Sequence, residues 1–292
     1  MKYLVLIISM AVISGCNAPE KELSNTFYAF NNCLRTLPGA PETLQEQVGL
    51  IRETGFDGLA GHQAQDYFKL RVALDEAGLT MPEIYWGITI SENGDMTYSS
   101  ELEEVIKDSK GRDLIVAIYI NADAFLDNKE EGDPLVSAAI GKLADFAAPY
   151  GARVAVYPHL DNYCETSAHA VKLAKMTDRK NVGAIFNTCH LLKVEGEEGW
   201  QEKLINALPY LYMISINGAD SGNTKEMGWD QLIQPLGEGT FDTYELVKLA
   251  KDNGYEGPFG LQCYNIKQDC EVVLTKSMDT WKKYKKMYAE GN

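Results

Sequence analysis

Residues 153–190, RVAVYPHLDNYCETSAHAVKLAKMTDRKNVGAIFNTCH, decide the fold. A short apolar, β-prone run (153–157) leads into an amphipathic stretch (165–177), and a second apolar run follows at 182–187. Both runs are apolar on both faces, as a strand must be when it lies between a barrel interior and an outer layer of helices. Each closes on a polar cluster, Tyr157-Pro158-His159 in one case and Asn187-Thr188-Cys189-His190 in the other. The stretch is therefore one β-then-α unit opening onto the next.

The same unit recurs in both directions. Further strands are predicted over 27–32, 56–60, 81–88, 114–120, 211–217 and 259–264. Helices are predicted over 41–54, 64–77, 99–109, 133–149, 198–207 and 241–253, with 273–288 closing the chain. Gly55, Gly78, Gly151 and Gly254 stand where helices should stop, the usual place for a left-handed residue. In the helix over 64–77, Phe68 and Val72 are expected on the inner stripe and Asp75 and Glu76 on the wet one. Eight such units predict an α/β fold, a (β/α)8 TIM barrel, as a single domain over 26–290. A doubly wound open sheet would use fewer units and a glycine-rich phosphate turn, and neither GxGxxG nor GxxxxGK[ST] occurs.

The amino terminus reads as an address. Lys2 precedes an apolar run over 3–13, too short to span a bilayer comfortably, and Ser14-Gly15-Cys16 looks like a bacterial lipobox. The expectation is a lipoprotein signal peptide over 1–15 and a tether over 16–25, lipidated on Cys16. An ordinary secretory signal is the alternative. Either places the protein outside the cytoplasm; with the lipid it sits on the periplasmic face of the inner or outer membrane, or at the cell surface. No other segment is long and apolar enough to cross a bilayer. Loss of residues 1–15 removes one Lys and no acid, moving the formal charge from −15 to −16. So acidic a surface repels phosphate backbones, and no nucleic-acid partner is expected. Cys33, Cys164, Cys189, Cys263 and Cys270 match no zinc spacing. A disulfide such as Cys263–Cys270 is one open pairing.

The C-terminal ends of barrel strands are where such folds keep their chemistry. Here they carry Tyr157, His159, Asn187, His190, Asn217 (in INGAD, 216–220) and Gln262 with Tyr264 (in LQCY, 261–264). Imidazole is both acid and base near neutrality, so His159 and His190 are the expected proton carriers. Lys193, Tyr157 and Glu83 complete the candidate catalytic set. Asn187, Asn217 and Gln262 suit sugar hydroxyls, since an amide both donates and accepts; their bland alternative is cross-linking of strand ends. Alternation sends Glu83 and Tyr85 to one face and Trp86 to the other. Tyr85, Tyr264, Trp229 and His62 are candidate substrate contacts, and His169, within a predicted helix, is expected on the surface.

Gly55-Phe56-Asp57-Gly58, Asn181-Val182-Gly183 leading to Asn187 and His190, Pro235-Leu236-Gly237-Glu238-Gly239 and Gly254-Tyr255-Glu256-Gly257-Pro258 together resemble the xylose isomerase-like barrel superfamily, often labelled sugar phosphate isomerase/epimerase. The likeness runs over about 26–285 and is closest to a subgroup sharing YPH, NxCH followed by LK, INGAD, QPLGxG and GLQxY. That pattern covers His159, Asn187, His190, Lys193, Asn217, Asp220, Gln234, Gln262 and Tyr264. The resemblance implies a carbohydrate substrate and, since related barrels often pair, a homodimer. It also implies four metal-ligand positions, a Glu, an Asp, a His and a Glu on strands five to eight, which here align with Tyr157, Asn187, Asn217 and Gln262. Three carboxylates have become neutral groups, and divalent cations prefer charged oxygen. No cofactor is expected; a divalent metal (Mn, Mg or Zn) on His159, Asn187, His190, Asn217 and Gln262 is the rival. The expected activity is isomerase- or epimerase-like proton abstraction next to the carbonyl of a sugar or keto-sugar. A β-eliminating lyase on 3-keto-glycosides and a non-catalytic, lipid-anchored sugar-binding protein are the alternatives.

Overall fold

A computed structural model describes residues 21–61 and 66–291. The expected signal segment, Cys16 and His62 lie outside the described residues. Among those described, eight parallel strands form the barrel: Phe27–Phe30, Leu59–Ala60, Glu83–Ile90, Ile115–Asn121, Arg153–Val156, Val182–Asn187, Leu211–Ile216 and Phe259–Leu261. They are named first to eighth below. The first pairs with both the second and the eighth, and neighbours pair in sequence from the third round to the eighth. A short return strand, Met96–Thr97, pairs antiparallel with the end of the third. The single α/β barrel expected from the periodicity is what forms.

The ring closes between the second and third strands chiefly through backbone bonds. The Leu59 amide donates to the Thr80 carbonyl at 3.1 Å, and the Thr80 amide donates to the Asp57 carbonyl at 3.1 Å. Gly58 sits in this seam at φ +151°, where a Cβ would lie 1.9 Å from the Thr80 carbonyl oxygen. Gly58→Ala must either open the seam or strain the backbone. The expected cost is about 2 kcal/mol or more, read as a fall in urea midpoint with unchanged slope. An unchanged midpoint would show that the seam does not hold the ring.

Two apolar layers result. Tyr28, Phe30, Ala117, Ala155, Tyr157, Ile185 and Met213 fill the barrel interior. A larger core lies between the sheet and the helices Leu44–Thr54, Tyr67–Glu76, Glu101–Asp108, Lys129–Ala147, Ser167–Thr177, Trp200–Ala207, Thr243–Asp252 and Cys270–Glu290. Gly55, Gly78, Gly151 and Gly254 are left-handed, as expected of helix stops.

Four details differ from expectation. Phe68 and Val72 are exposed, because Tyr67, Leu70 and Leu74 form the stripe that meets the sheet. His169 is largely covered, its Nε2 2.8 Å from the buried Asp133 carboxylate, which also takes the Tyr163 hydroxyl and the Lys172 ammonium. The last tether residues already pack on the barrel: Leu23 is buried, and the Asn25 amide donates to the Tyr255 and Gly257 carbonyls. The disulfide is Cys33–Cys263 rather than Cys263–Cys270. Cys33 and Cys263 follow the first and eighth strands, which are neighbours in the ring, so the barrel's closure brings together residues 230 apart in sequence. Cys270 instead opens the last helix and turns its thiol to the Cys33 carbonyl.

Candidate functional site

A cavity of about 540 Å³ opens at the C-terminal ends of the strands. Its wall includes Glu83, Tyr85, Tyr157, His159, His190, Trp229, Gln262 and Tyr264, all expected from the sequence. Strand alternation explains the third strand: Glu83 and Tyr85 face inward, while Trp86 packs in the outer core.

The two histidines stand together, ring centres 4.1 Å apart, with Trp229 edge-on to His190 at 5.3 Å. The backbone of one residue, Leu160, holds both. The Leu160 carbonyl accepts from His159 Nδ1 at 2.6 Å, and the Leu160 amide donates to His190 Nδ1 at 3.2 Å. A carbonyl can only accept and an amide N–H can only donate, so the tautomers are forced. His159 carries its proton on Nδ1 and has a free lone pair on Nε2. His190 has its lone pair occupied on Nδ1 and carries a proton on Nε2. The pair is thus divided into a base and a neutral hydrogen-bond donor. Burial lowers the pKa of both, and for His190, with His159 adding to the effect, to about 3. At neutral pH both rings are uncharged.

Glu83 is fully buried in the cavity floor. Burial pushes its carboxyl up to about 8, against a modest opposing effect of the Gly61 amide, which donates to Oε2. Its other oxygen, Oε1, meets no hydrogen-bond partner among the described residues. At neutral pH the group is mostly the acid, and with Oε2 accepting from Gly61, its proton belongs on Oε1.

Tyr157, Asn187, Gln262 and Asn32 form a chain of neutral groups. The Asn187 amide donates to the Tyr157 hydroxyl, and the Asn32 amide and the Tyr264 backbone N–H donate to the Gln262 carbonyl oxygen. Burial raises the Tyr157 pKa well above the ordinary phenol value, so it stays an intact hydroxyl.

Two expected residues are used elsewhere. Asn217 is completely buried, its amide donating to the Gly218 and Leu232 carbonyls at 2.7 Å each; it braces the loop after the seventh strand and does not line the cavity. Lys193 lies in a π-helical turn, and its ammonium donates to the Lys225 and Met227 carbonyls at 2.8 and 2.9 Å. It also is outside the cavity wall. Asn187 lies behind the wall rather than in it. Asp220 and Gln234 hold the same loop through backbone bonds to Gln231 and Gly218. Asn32, Arg35, Leu160 and Asp161 line the cavity and were missed. The strand-end rule applied to the first strand, which runs into Asn31-Asn32, would have found Asn32. No side-chain signal could have found the Leu160 peptide.

Residues 48–284 match the family model described as a xylose isomerase-like TIM barrel. Inosose dehydratase of Geobacillus thermodenitrificans is 26% identical over 140 residues, 45% of this chain; the chain spans about half the length of that curated relative, 46%. Two solved structures share the fold. The IOLI protein with a bound zinc atom superposes with TM-score 0.66 at 15% identity, covering 90% of this chain and 99% of its own. The 3-keto-D-glucoside 4-epimerase YcjR of E. coli gives 0.62 at 20% identity, covering 84% and 97%.

A relative therefore holds a divalent metal, and the donor set here can be tested against one. Of the four aligned positions, Tyr157 is a hydroxyl with a raised pKa, Gln262 has its oxygen engaged twice, and the Asn217 amide group is tied to backbone carbonyls. None bears a charge. Among the described residues no three His, Cys, Asp or Glu converge on a point. His159 and His190 offer one free lone pair between them. This set does not fit a hard divalent cation, which wants several anionic or well-placed oxygen ligands.

Proposed function

The chain belongs to the xylose isomerase-like TIM barrel family, and within it we propose an extracytoplasmic, lipid-anchored enzyme that moves a proton at the carbon next to the carbonyl of a keto-sugar, using side chains in place of a metal. The observation that carries this reading is the Leu160 backbone, whose carbonyl and amide N–H give His159 and His190 opposite tautomers in one cavity. Dehydration beside a ketone and epimerisation beside one both start by losing the α-proton, so the dehydratase and epimerase among the relatives fit a shared first step.

His159 Nε2 is the base that removes the proton. As negative charge builds on the carbonyl oxygen, the His190 Nε2–H donates to it. The neutral Glu83 carboxyl supplies a proton, either to the far face of the enolate, which inverts the centre, or to a departing β-oxygen, which completes elimination. A positioned acid–base pair contributes about 10²–10⁴-fold, and one donor to the oxyanion about 10²–10³-fold. That suits the already acidic proton beside a ketone. It falls short for hydride transfer on an ordinary aldose. Exposed Tyr264 and half-buried Trp229 at the mouth offer ring faces to a sugar.

The outside location rests on the apolar leader with its lipobox-like Cys16. The Cys33–Cys263 disulfide supports it, since such bonds persist chiefly in oxidising compartments.

Incubation with a 3-keto-glucoside in D2O should place deuterium at the carbon beside the ketone, undiminished by a chelator. The rate should be bell-shaped in pH. It falls on the acid side as His159 protonates, below the ordinary histidine value, and on the alkaline side near pH 8 as Glu83 ionises. A saturating ligand that never takes up label would remove the proton-transfer reading and leave a lipid-anchored sugar-binding protein. Label that enters only after a divalent metal is added would remove the metal-free mechanism.

A further inference from the structure

Six arginines occur in this acidic chain, and four are held by carboxylates. Arg71 meets Asp75 and Asp108, Arg112 meets Asp75, Arg153 meets Asp113 and Arg179 meets Asp145. Arg52 closes the last turn of the helix Leu44–Thr54, where a cation offsets the negative end of the helix. Arg35 has neither role. It follows the first strand in a four-residue helical turn, Cys33–Thr36, too short to carry a useful dipole. Among the described residues its guanidinium has no acidic partner, and it stands on the cavity wall, exposed to solvent.

Lys193 is spent on backbone carbonyls, so among the described residues Arg35 is the one Lys or Arg side chain lining the cavity. Among the described residues two carboxyl groups share the wall with it. Glu83 is mostly uncharged at neutral pH, and Asp161 lies beside His159, which feels its charge. The first and fifth strands face each other across an eight-stranded ring, which sets Arg35 and Asp161 on opposite sides of the same rim. The mouth is thus polarised, positive over the first strand and negative next to the base.

We propose that Arg35 binds the carboxylate of an acidic sugar, so that the substrate class is a keto-uronide rather than a neutral keto-sugar. The inference rests on reading the cavity as a sugar pocket. A guanidinium matches a carboxylate with two parallel N–H···O bonds. Its single charge balances a monoanion, whereas a phosphate dianion would stay half uncompensated in a field set by a net charge of −15. The polarity also orients the ligand: the carboxylate points to the first strand, and the carbon losing its proton lies across the ring at His159.

The test compares binding of D-glucuronate and of D-glucuronamide, a neutral analogue of nearly equal shape, by calorimetry. The wild-type protein should prefer the acid by about tenfold or more, the yield of one well-made ion pair, and added salt should shrink that preference. Arg35→Gln should weaken glucuronate selectively and bring the two ligands within about twofold. Equal binding of both by the wild-type protein, binding of neither, or a preference that survives Arg35→Gln would each overturn the proposal. Preference for the acid without deuterium exchange would refute proton transfer and leave Arg35's role standing. Exchange without acid preference would refute this role alone.

Discussion

Replacing His159 by alanine is expected to lower the turnover of deuterium exchange by about 10²–10⁴-fold, the usual contribution of a positioned base, with little change in KM. The acid limb of the pH profile should vanish with it, because that limb reports loss of the Nε2 lone pair. His190→Gln should behave differently. It keeps an N–H donor, and its carbonyl oxygen can still accept the Leu160 amide, so the expected loss is at most about 10²–10³-fold, the yield of an oxyanion donor. The acid limb should remain, since the buried His190 ring titrates only near pH 3. The asymmetry follows from one residue, Leu160, whose carbonyl faces one ring and whose amide N–H faces the other. If both variants lose activity equally and both keep the acid limb, the division into base and donor is wrong.

The second large effect concerns the rivet between the first and last barrel units. Cys33 and Cys263 are both buried, so reductant should attack the folded protein slowly; the paired variant Cys33→Ala/Cys263→Ala is the cleaner probe. Closing a chain segment of 230 residues restricts the unfolded state strongly. The entropy model gives about 5 kcal/mol for such a loop, of which about 2–4 is commonly realised. For a chain of this size that corresponds to a fall of roughly 5–15 °C in melting temperature. The site should suffer as well. Asn32 and Gln262, hydrogen-bonded to each other, are the sequence neighbours of the two half-cystines, so ligand affinity should fall along with stability. Cys270→Ala serves as the control, because its buried thiol merely donates to the Cys33 carbonyl. A double variant that melts with the wild-type protein would show that the bond adds nothing to the barrel's closure.

Much of the site was legible in advance. Tyr157, His159, His190, Gln262 and Tyr264 all sit where a strand-end rule puts them, and Glu83 and Tyr85 point inward because strand residues alternate. The errors share a cause. Lys193 and Asn217 have the right chemistry at the right places, yet apart from the adjacent Gly218 carbonyl their donors meet carbonyls 15 to 34 residues further on, which no local pattern reports. Phe68 and Val72 misled because the helix over Tyr67–Glu76 carries apolar residues on two faces, and packing chose the stripe with Tyr67, Leu70 and Leu74.

By itself the amino-acid sequence determined the eightfold alternation and the neutral polar residues at the ends of the strands. These follow from periodicity and residue type, which are local. Only the tertiary structure decided which imidazole keeps a free lone pair on Nε2, that Glu83 keeps its proton, which cysteines pair and that, among the described residues, Arg35 stands at the mouth without an acidic partner. Each of those depends on a partner brought from a distant part of the chain, or on how much water the whole fold excludes, and neither is encoded within any single stretch.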